Sequence, residues 1–153
     1  MSERSILDAI KVQANVVIPI TKALERELGK VRAHAIIGGA IADAYVAYRE
    51  RRGFELDTHP SVEVDGPAFP VEHTTVENTP DSYAHNVTHC EFANYFSSIG
   101  EPEIGALMTC GVDAAAEELM RPGWEYSRTM TRMSGAAVCD FHWRKKSPTK
   151  EQR

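Results

Sequence analysis

The amino-acid sequence predicts an α+β fold: two N-terminal helices followed by an antiparallel sheet with inserted helices, ending in a β-hairpin. Apolar residues recur at helical spacing over residues 4–28, and small residues fill a second helical stretch over residues 31–51. Polar and apolar residues alternate over residues 71–78 and 82–90, and the C-terminal part is rich in β-branched and aromatic residues. The 153 residues suffice for a core, so we expect a single domain over residues 1–153.

The two N-terminal helices carry clear end signals. Gly29 is placed to end the first helix, and Gly53 the second. Pro19 lies inside the first helix and predicts a kink or a break near residues 17 and 18. The many Ala and Gly residues of the second helix favour close packing on several sides. The alternative is that Gly38 and Gly39 leave space for a ligand.

The middle of the chain is predicted to alternate between loops, strands and helices. In order, we expect a loop over residues 54–70 with a short strand at 62–64, a turn at 79–81 between two strands, a short helix at 91–99, a helix at 103–120 and a flexible tail at 147–153. The loop is a plausible hinge, but neither side of it is large enough for a separate core.

Residues 126–132 and 136–144 predict the terminal hairpin, because Ser134 and Gly135 between them suit a two-residue turn. Counting from that turn gives the expected cross-strand pairs: Met130 with Cys139, Arg128 with Phe141 and Tyr126 with Trp143 on one face, and Thr129 with Asp140 and Ser127 with His142 on the other. Cys139 is then surrounded by apolar side chains with Arg128 nearby. A cation lowers the pKa of a thiol and apolar burial raises it, so both outcomes stay open.

Charge and cysteine content limit the function classes. The net charge of −5 without a basic, aromatic-rich stripe argues against nucleic-acid binding. No apolar stretch approaches the length of a membrane span, and the first residues do not resemble an export signal. Three cysteines without such a signal predict free thiols and a cytoplasmic location.

Histidines and cysteines invite a metal site, but their spacing does not favour one. His85 and His89 lie about 13 Å apart if both are on one straight strand, which is too far for one zinc ion. The three cysteines match no zinc-ribbon spacing. We therefore expect neither a metal nor another cofactor.

A thiol nucleophile is the sharper hypothesis. Cys110 and Asp113 are three residues apart and would be neighbours on one helix face. The Asp113 carboxylate could hold a cationic substrate group or accept a proton from an activating histidine, although its charge raises the pKa of a nearby thiol. The alternative is that the cysteines only fill the core, as buried cysteines often do.

At these residues the chain resembles the L-2-amino-thiazoline-4-carboxylic acid hydrolase family, over roughly residues 5–144. The resemblance rests on the following segments in order: Glu27-Leu-Gly29 before the Ala/Gly-rich helix, Cys90, Gly100-Glu-Pro-Glu-Ile-Gly105, Cys110-Gly-Val-Asp113, Arg128-Thr-Met-Thr131, Gly135 and Cys139-Asp-Phe141. The chain departs from the family pattern at His142, where an arginine is expected, and at Ser134-Gly135, which replaces a more acidic turn.

The resemblance implies hydrolytic opening of a small cyclic amidine that carries a carboxylate, giving an N-carbamoyl amino acid. The resemblance implies that Cys110, or Cys139 as second choice, attacks the amidine carbon. Asp113 or Asp140 would pair with the exocyclic amino group, and Arg128, or less favourably Arg132, would hold the carboxylate. His85 or His89 would carry the proton, and Cys90 would contact the substrate. In the alternative chemistry, water attacks directly with Asp113 as the base.

Two further readings from other functional classes remain. The cysteine-rich ending is similar to that of small ligand-binding V4R-type domains, which implies a sensory domain without turnover. The small-residue helix over residues 31–51 could instead be a dimer interface, and we expect a homo-oligomer in any case.

Overall fold

In the computed structural model of the protein, residues 5–62 and 70–147 are described. Helix α1 spans Ile6–Leu28 and begins after Ser5, whose hydroxyl accepts the backbone N–H of Asp8. Pro19 lies inside α1 without breaking it, so the predicted helix is confirmed and a break near residues 17 and 18 does not occur. Gly29, with φ of +80°, connects α1 directly to α2.

Helix α2 spans Lys30–Arg52 and packs on α1 and on helices later in the chain. The expected close packing holds at Gly38, where an added Cβ would lie 3.2 Å from the Leu107 side chain. It does not hold at Gly39, where no described atom lies within 4 Å of such a Cβ. One face of α2 is therefore open to solvent, with Ile36 and Val31 exposed on this helix.

The described strands form a four-stranded antiparallel sheet with the order β1-β2-β4-β3. Their bounds are Val71–Thr79 for β1, Ser82–Cys90 for β2, Trp124–Ser127 for β3 and Cys139–Lys145 for β4. The first strand pair and its connecting turn match the sequence prediction. Strand β4 lies between β2 and β3. Cys139, the first residue of β4, therefore lies against the end of β2.

Three α-helices connect β2 to β3, and the sequence predicted the last two of them as one continuous helix. Helix α3 spans Glu91–Ser98, as expected. The predicted helix over residues 103–120 is instead α4 over Pro102–Met108, a 3₁₀ turn over Cys110–Val112, and α5 over Asp113–Met120. The break lies at Thr109, whose hydroxyl bonds to the Gly105 carbonyl oxygen at 2.9 Å.

Two of the five predicted cross-strand pairs of the terminal hairpin form, whereas the predicted pairs of Arg128, Thr129 and Met130 and the two-residue turn do not. Tyr126 pairs with Trp143 and Ser127 with His142, as the counting predicted. However, β3 already ends at Ser127, and a 3₁₀ turn over Arg132–Ser134 replaces the expected two-residue turn. The Thr131 hydroxyl accepts the backbone N–H of Ser134, which stabilises this longer connection.

The core lies between the helices and one face of the sheet, which we call the inner face. The larger core cluster is formed by buried residues of α1, β2, α3, α4, β4 and the 3₁₀ turn before β4, namely Ala14, Val87, Cys90, Phe92, Ala93, Phe96, Ile104, Met108, Met133 and Cys139. A second cluster of Tyr83, Trp124 and Trp143 covers the other end of the inner face. Burial of these apolar side chains is the main stabilising contribution to the fold.

Two sequence predictions fall partly outside the described residues. Of the proposed strand at 62–64, Val62 belongs to a 3₁₀ turn over Pro60–Val62, and the other two residues are not described. Of the tail, the residues after Ser147 are not described. No helix in the described ranges is both long enough and apolar enough to cross a membrane.

Candidate functional site

An ion pair between Asp113 and Arg128 marks the candidate site. Asp113 is the first residue of α5, and Arg128 follows the end of β3 directly. The Arg128 Nη1 donates to a carboxylate oxygen of Asp113, while Nη2 donates to the Cys110 backbone carbonyl at 3.1 Å. Cys110 follows the helix break at Thr109, and its backbone carbonyl accepts this hydrogen bond from the Arg128 guanidinium on the inner face of the sheet.

The two charged side chains of this pair differ in their access to solvent. One third of the Asp113 side chain is exposed (33%), whereas only 16% of the Arg128 side chain is. Burial raises the pKa of Asp113 to about 6, and the neighbouring guanidinium acts in the opposite direction. Asp113 is therefore a carboxylate that changes its protonation close to neutral pH, within reach of water.

Cys110 lies beside this ion pair, but its thiol is not activated by it. Burial raises the pKa of the Cys110 thiol to about 11; the Thr109 hydroxyl, 3.6 Å from Sγ, opposes the shift and the Asp113 charge adds to it. A thiol with this pKa holds little thiolate at neutral pH. For Cys139, the thiol for which the sequence left both outcomes open, burial likewise raises the pKa despite the nearby Arg128.

The other two cysteines act as hydrogen-bond acceptors within the core. The Cys139 Sγ accepts the backbone N–H of Arg132 at 3.2 Å, and the Cys90 Sγ accepts that of Ala93 at 3.5 Å. Cys90 is thereby the N-cap of α3. Burial raises the pKa of both thiols above the usual value. All three cysteines are free thiols.

Aromatic side chains form the wall of the site on the inner face of the sheet. The Arg128 guanidinium lies 5.1 Å from the centre of the Phe141 ring, a distance at which a cation and a ring attract each other. The Phe141 ring also stacks on the His85 ring, with 4.9 Å between ring centres. The centre of the Tyr126 ring lies 5.5 Å from that of Trp143 and 6.1 Å from that of Phe141.

The family model for L-2-amino-thiazoline-4-carboxylic acid hydrolase matches residues 9–143, which is most of the chain. The chain belongs to this family. Searches of the curated proteins and of the solved structures gave no significant match. The suspected resemblance is thus confirmed, and the matched range includes Asp113, Arg128 and all three cysteines.

Not every predicted site residue of this hydrolase-family chain lies beside the ion pair. The His89 Nε2 donates to a carboxylate oxygen of Glu91 at 2.5 Å, and the His89 side chain is 41% exposed. Its sequence neighbour Cys90 is in the core, so the His89 side chain points away from the cysteines. His85 is buried on the inner face, where burial and the nearby His73 lower its pKa to about 4.

Asp140 holds the connection between β3 and β4. Its carboxylate accepts the backbone N–H groups of Thr129 and Met130 at 2.8 and 2.7 Å and the Thr129 hydroxyl. Burial alone would raise the pKa of Asp140, but these hydrogen bonds lower it below the usual value. Because residues alternate along a strand, Asp140 points to the face opposite Cys139 and Phe141.

Two residues beside the ion pair were not among the predicted site residues. The Glu117 carboxylate accepts the Trp143 indole N–H at 2.8 Å and both oxygens bind Arg121, which fixes α5 on the sheet. The Tyr126 hydroxyl is buried on the same side. Tyr126 was placed on this face by the predicted register, and Glu117 is four residues after Asp113, so both could have been found.

Other parts of the described surface offer less chemistry. A depression open to solvent lies between Glu77, Asp81, Ser82 and Arg144 and contains none of the predicted site residues. Within residues 5–62 and 70–147, no three His, Cys, Asp or Glu side chains are placed to hold a metal ion together.

Proposed function

We propose that this chain hydrolyses a ring bond of a small cyclic amidine that carries a carboxylate, such as 2-amino-thiazoline-4-carboxylate. The observation that carries the proposal is the Asp113–Arg128 ion pair against an aromatic wall, because it offers a cation for a carboxylate and a carboxylate for an amidine. The family to which the chain belongs is named for a hydrolase of this compound.

Arg128 binds the substrate carboxylate in this proposal. Its Nη2 donates to the Cys110 backbone carbonyl, which is a neutral acceptor. A substrate carboxylate can replace that carbonyl and gains a charge-assisted hydrogen bond, while Nη1 keeps Asp113 in place. The planar ring then lies along Phe141, and its amidine faces the Asp113 carboxylate.

Asp113 is the proposed base, and water is the proposed nucleophile. Asp113 takes a proton from water as the oxygen adds to the amidine carbon, and passes this proton to the ring nitrogen. The ring C–S bond then breaks, the hydroxyl proton goes to the leaving sulfur, and the oxygen becomes the carbonyl of an N-carbamoyl amino acid. A base with a pKa near 6 is suited to this task at neutral pH.

The thiol route is the alternative chemistry at the same residues. Cys110 would attack the amidine carbon, the ring C–S bond would break, and water would hydrolyse the resulting isothiourea to the same product and free Cys110. The raised pKa of Cys110 counts against this route, because the nucleophile is the thiolate. Cys139 is less favourable still, since its sulfur already accepts the Arg132 N–H.

The test is turnover of a panel of cyclic amidines and imides by the parent and by Asp113→Asn, Cys110→Ala and Cys139→Ala. We expect Asp113→Asn to lose at least about 100-fold in kcat, and both alanine variants to keep most of their turnover. Loss of activity only in Cys110→Ala would establish the thiol route instead. If all three variants keep full turnover, the assigned site is wrong.

Two controls complete this experiment. Asp43→Asn removes an exposed carboxylate on α2 and is expected to leave turnover unchanged. Activity that disappears with EDTA and returns with zinc or manganese would contradict the expectation of a metal-free reaction. Ligand binding without turnover in the parent would favour a sensory domain over an enzyme.

We also propose that the chain is a cytoplasmic homo-oligomer. Three free cysteines are typical of a reducing compartment. For self-association, the support is a row of exposed apolar side chains on α1, namely Val12, Val16 and Ile20, which recur every four residues on one side of the helix.

A further inference from the structure

The Tyr126 hydroxyl is a buried hydrogen-bonding group without a partner in the part of the chain that the structure describes. Its oxygen is shielded from solvent and makes no hydrogen bond to any described residue. A buried hydroxyl in this state destabilises the free protein relative to a hydroxyl that makes a hydrogen bond. Buried polar groups are satisfied in the great majority of cases, so an exception beside a candidate site needs an explanation.

The surroundings of Tyr126 place this hydroxyl at the ion pair. Burial and the negative charges of Asp113 and Glu117 raise the pKa of Tyr126, and the positive charge of Arg128 acts in the opposite direction. The phenol therefore keeps its proton at neutral pH and is a hydrogen-bond donor. Its ring is held in position by Trp143 and Phe141 at 5.5 and 6.1 Å.

The neighbours of Tyr126 already have their own partners. One oxygen of Asp113 accepts from Arg128, and both oxygens of Glu117 are engaged by Arg121, with one also accepting from Trp143. Because the Tyr126 hydroxyl donates to none of these oxygens, it is suited to an acceptor that arrives with the ligand. The charged Arg128 is the better partner for a full carboxylate, whereas a neutral phenol suits an oxygen on which charge only develops.

We propose that the Tyr126 hydroxyl donates a hydrogen bond to the oxygen that is added to the amidine carbon and becomes the carbonyl of the product. This inference rests on the proposed function and assigns to it a catalytic residue outside the predicted set. The hydrogen bond is absent in the ground state, since the substrate has no oxygen at that carbon. Tyr126 consequently stabilises the transition state and the product more than the substrate.

Tyr126→Phe removes the hydroxyl and keeps the ring. We expect kcat to fall roughly 100-fold, the size of the effect when one such donor is lost, with KM changed by less than about threefold. The affinity for the product N-carbamoyl-cysteine, measured by calorimetry, is expected to fall as well. The melting temperature of the free variant is expected to stay equal or to rise by about 2–4 °C, because an unsatisfied group has been removed.

Tyr83→Phe is the matched control. Tyr83 is also buried, and its ring lies 5.7 Å from the Trp143 ring, but its other ring contacts are with His59 and His85. This variant is expected to keep the kcat and the product affinity of the parent. Equal losses in both variants would show a general packing effect and would overturn the proposal.

Other outcomes separate this inference from the proposed function. A rise in KM with unchanged kcat would assign Tyr126 to the substrate carboxylate and overturn the inference alone. A lower melting temperature with unchanged kinetics would make the hydroxyl structural, which also overturns it. The parent could bind the product but turn over no substrate. If Tyr126→Phe then loses the affinity for the product, the role of Tyr126 as a hydrogen-bond donor is supported while the hydrolase proposal fails.

Discussion

Asp113 is the residue whose protonation is expected to control turnover. Its pKa lies at about 6 because burial opposes the charged form more than Arg128 favours it. A base must be deprotonated, so kcat should rise with pH through an apparent pKa near 6 and level off above it. In Asp113→Asn, this rise of kcat with pH should disappear together with most of the activity. The measurement is kcat between pH 4.5 and 9, a range chosen to bracket this pKa by roughly 1.5 units or more.

The control for this prediction is Arg128→Lys. Lysine keeps the positive charge beside Asp113 but loses the planar fork that donates to both Asp113 and the Cys110 carbonyl. The rise of kcat with pH should therefore remain in this variant. Its KM should rise about 10-fold or more, because a single point charge then holds the substrate carboxylate. A parent profile that is flat from pH 5 to 7 would rule out Asp113 as the base.

At the scale of residues, spacing predicted only part of the candidate site. Counting placed Asp113 beside Cys110 and Arg128 beside Cys139, whereas the contact of Arg128 with Asp113 and with the Cys110 carbonyl emerges only in the structure. The same counting placed Asp140 on the opposite face. The charge state of a thiol was beyond the sequence, because it depends on the balance of burial and neighbouring charge, which only the packed structure defines.

Two glycines in the helices test how the elements pack. Gly105 of α4 lies against the buried Phe96, and an added Cβ would be 2.4 Å from the Phe96 Cγ. Gly105→Ala is therefore expected to lower the free energy of unfolding by about 1–3 kcal/mol through overpacking. Gly39→Ala is the matched control, because no described atom lies near its Cβ and a helical alanine is favoured by about 0.5–1 kcal/mol.

Urea unfolding of both variants gives the measurement. The midpoint should fall for Gly105→Ala and rise for Gly39→Ala, with the slope m unchanged in both. Destabilisation by Gly39→Ala would mean that another molecule or chain approaches α2 at this position. An unchanged midpoint in Gly105→Ala would contradict the close contact between α3 and α4.

At the scale of elements, the errors of the sequence prediction share one cause. The helix over residues 103–120 and the two-residue turn at Ser134 and Gly135 were both predicted from local preference. In the structure, the hydroxyls of Thr109 and Thr131 bond to nearby backbone groups at these places. Asp140 likewise takes two backbone N–H groups that a longer strand β3 would have given to its neighbour. Such bonds compete with regular structure and are not visible as periodicity.

At the scale of the molecule, the order of elements and the fold class could be predicted, since apolar periodicity reports the length and type of each long element. The position of β4 between β2 and β3 could not be predicted from the sequence, because the pairing of β2 with β4 joins residues about fifty to sixty positions apart. This long-range pairing brings Cys90 near Cys139 and places His85 on Phe141. The aromatic wall of the site is thus a product of the whole topology.

Self-association is the prediction that belongs to the whole molecule. Val12, Val16 and Ile20 are 55%, 60% and 48% exposed and form one apolar row along α1. Burying this row against a second copy would remove it from water, with a gain of about 25 cal/mol per Å² of apolar surface. We expect the parent to be a dimer or larger in light scattering, and Val16→Glu to shift it to the monomer, because a buried unpaired carboxylate is costly.

Asn15→Glu adds the same charge on α1 outside the row and should leave the oligomer intact. The residues of the candidate site all come from one chain, so the monomeric Val16→Glu variant should keep its turnover per chain. A parent that stays monomeric at the highest concentration tested contradicts the oligomer. A Val16→Glu monomer without activity would instead mean that the partner copy completes the site, and the assignment of Asp113 and Arg128 to a self-sufficient site would have to be given up.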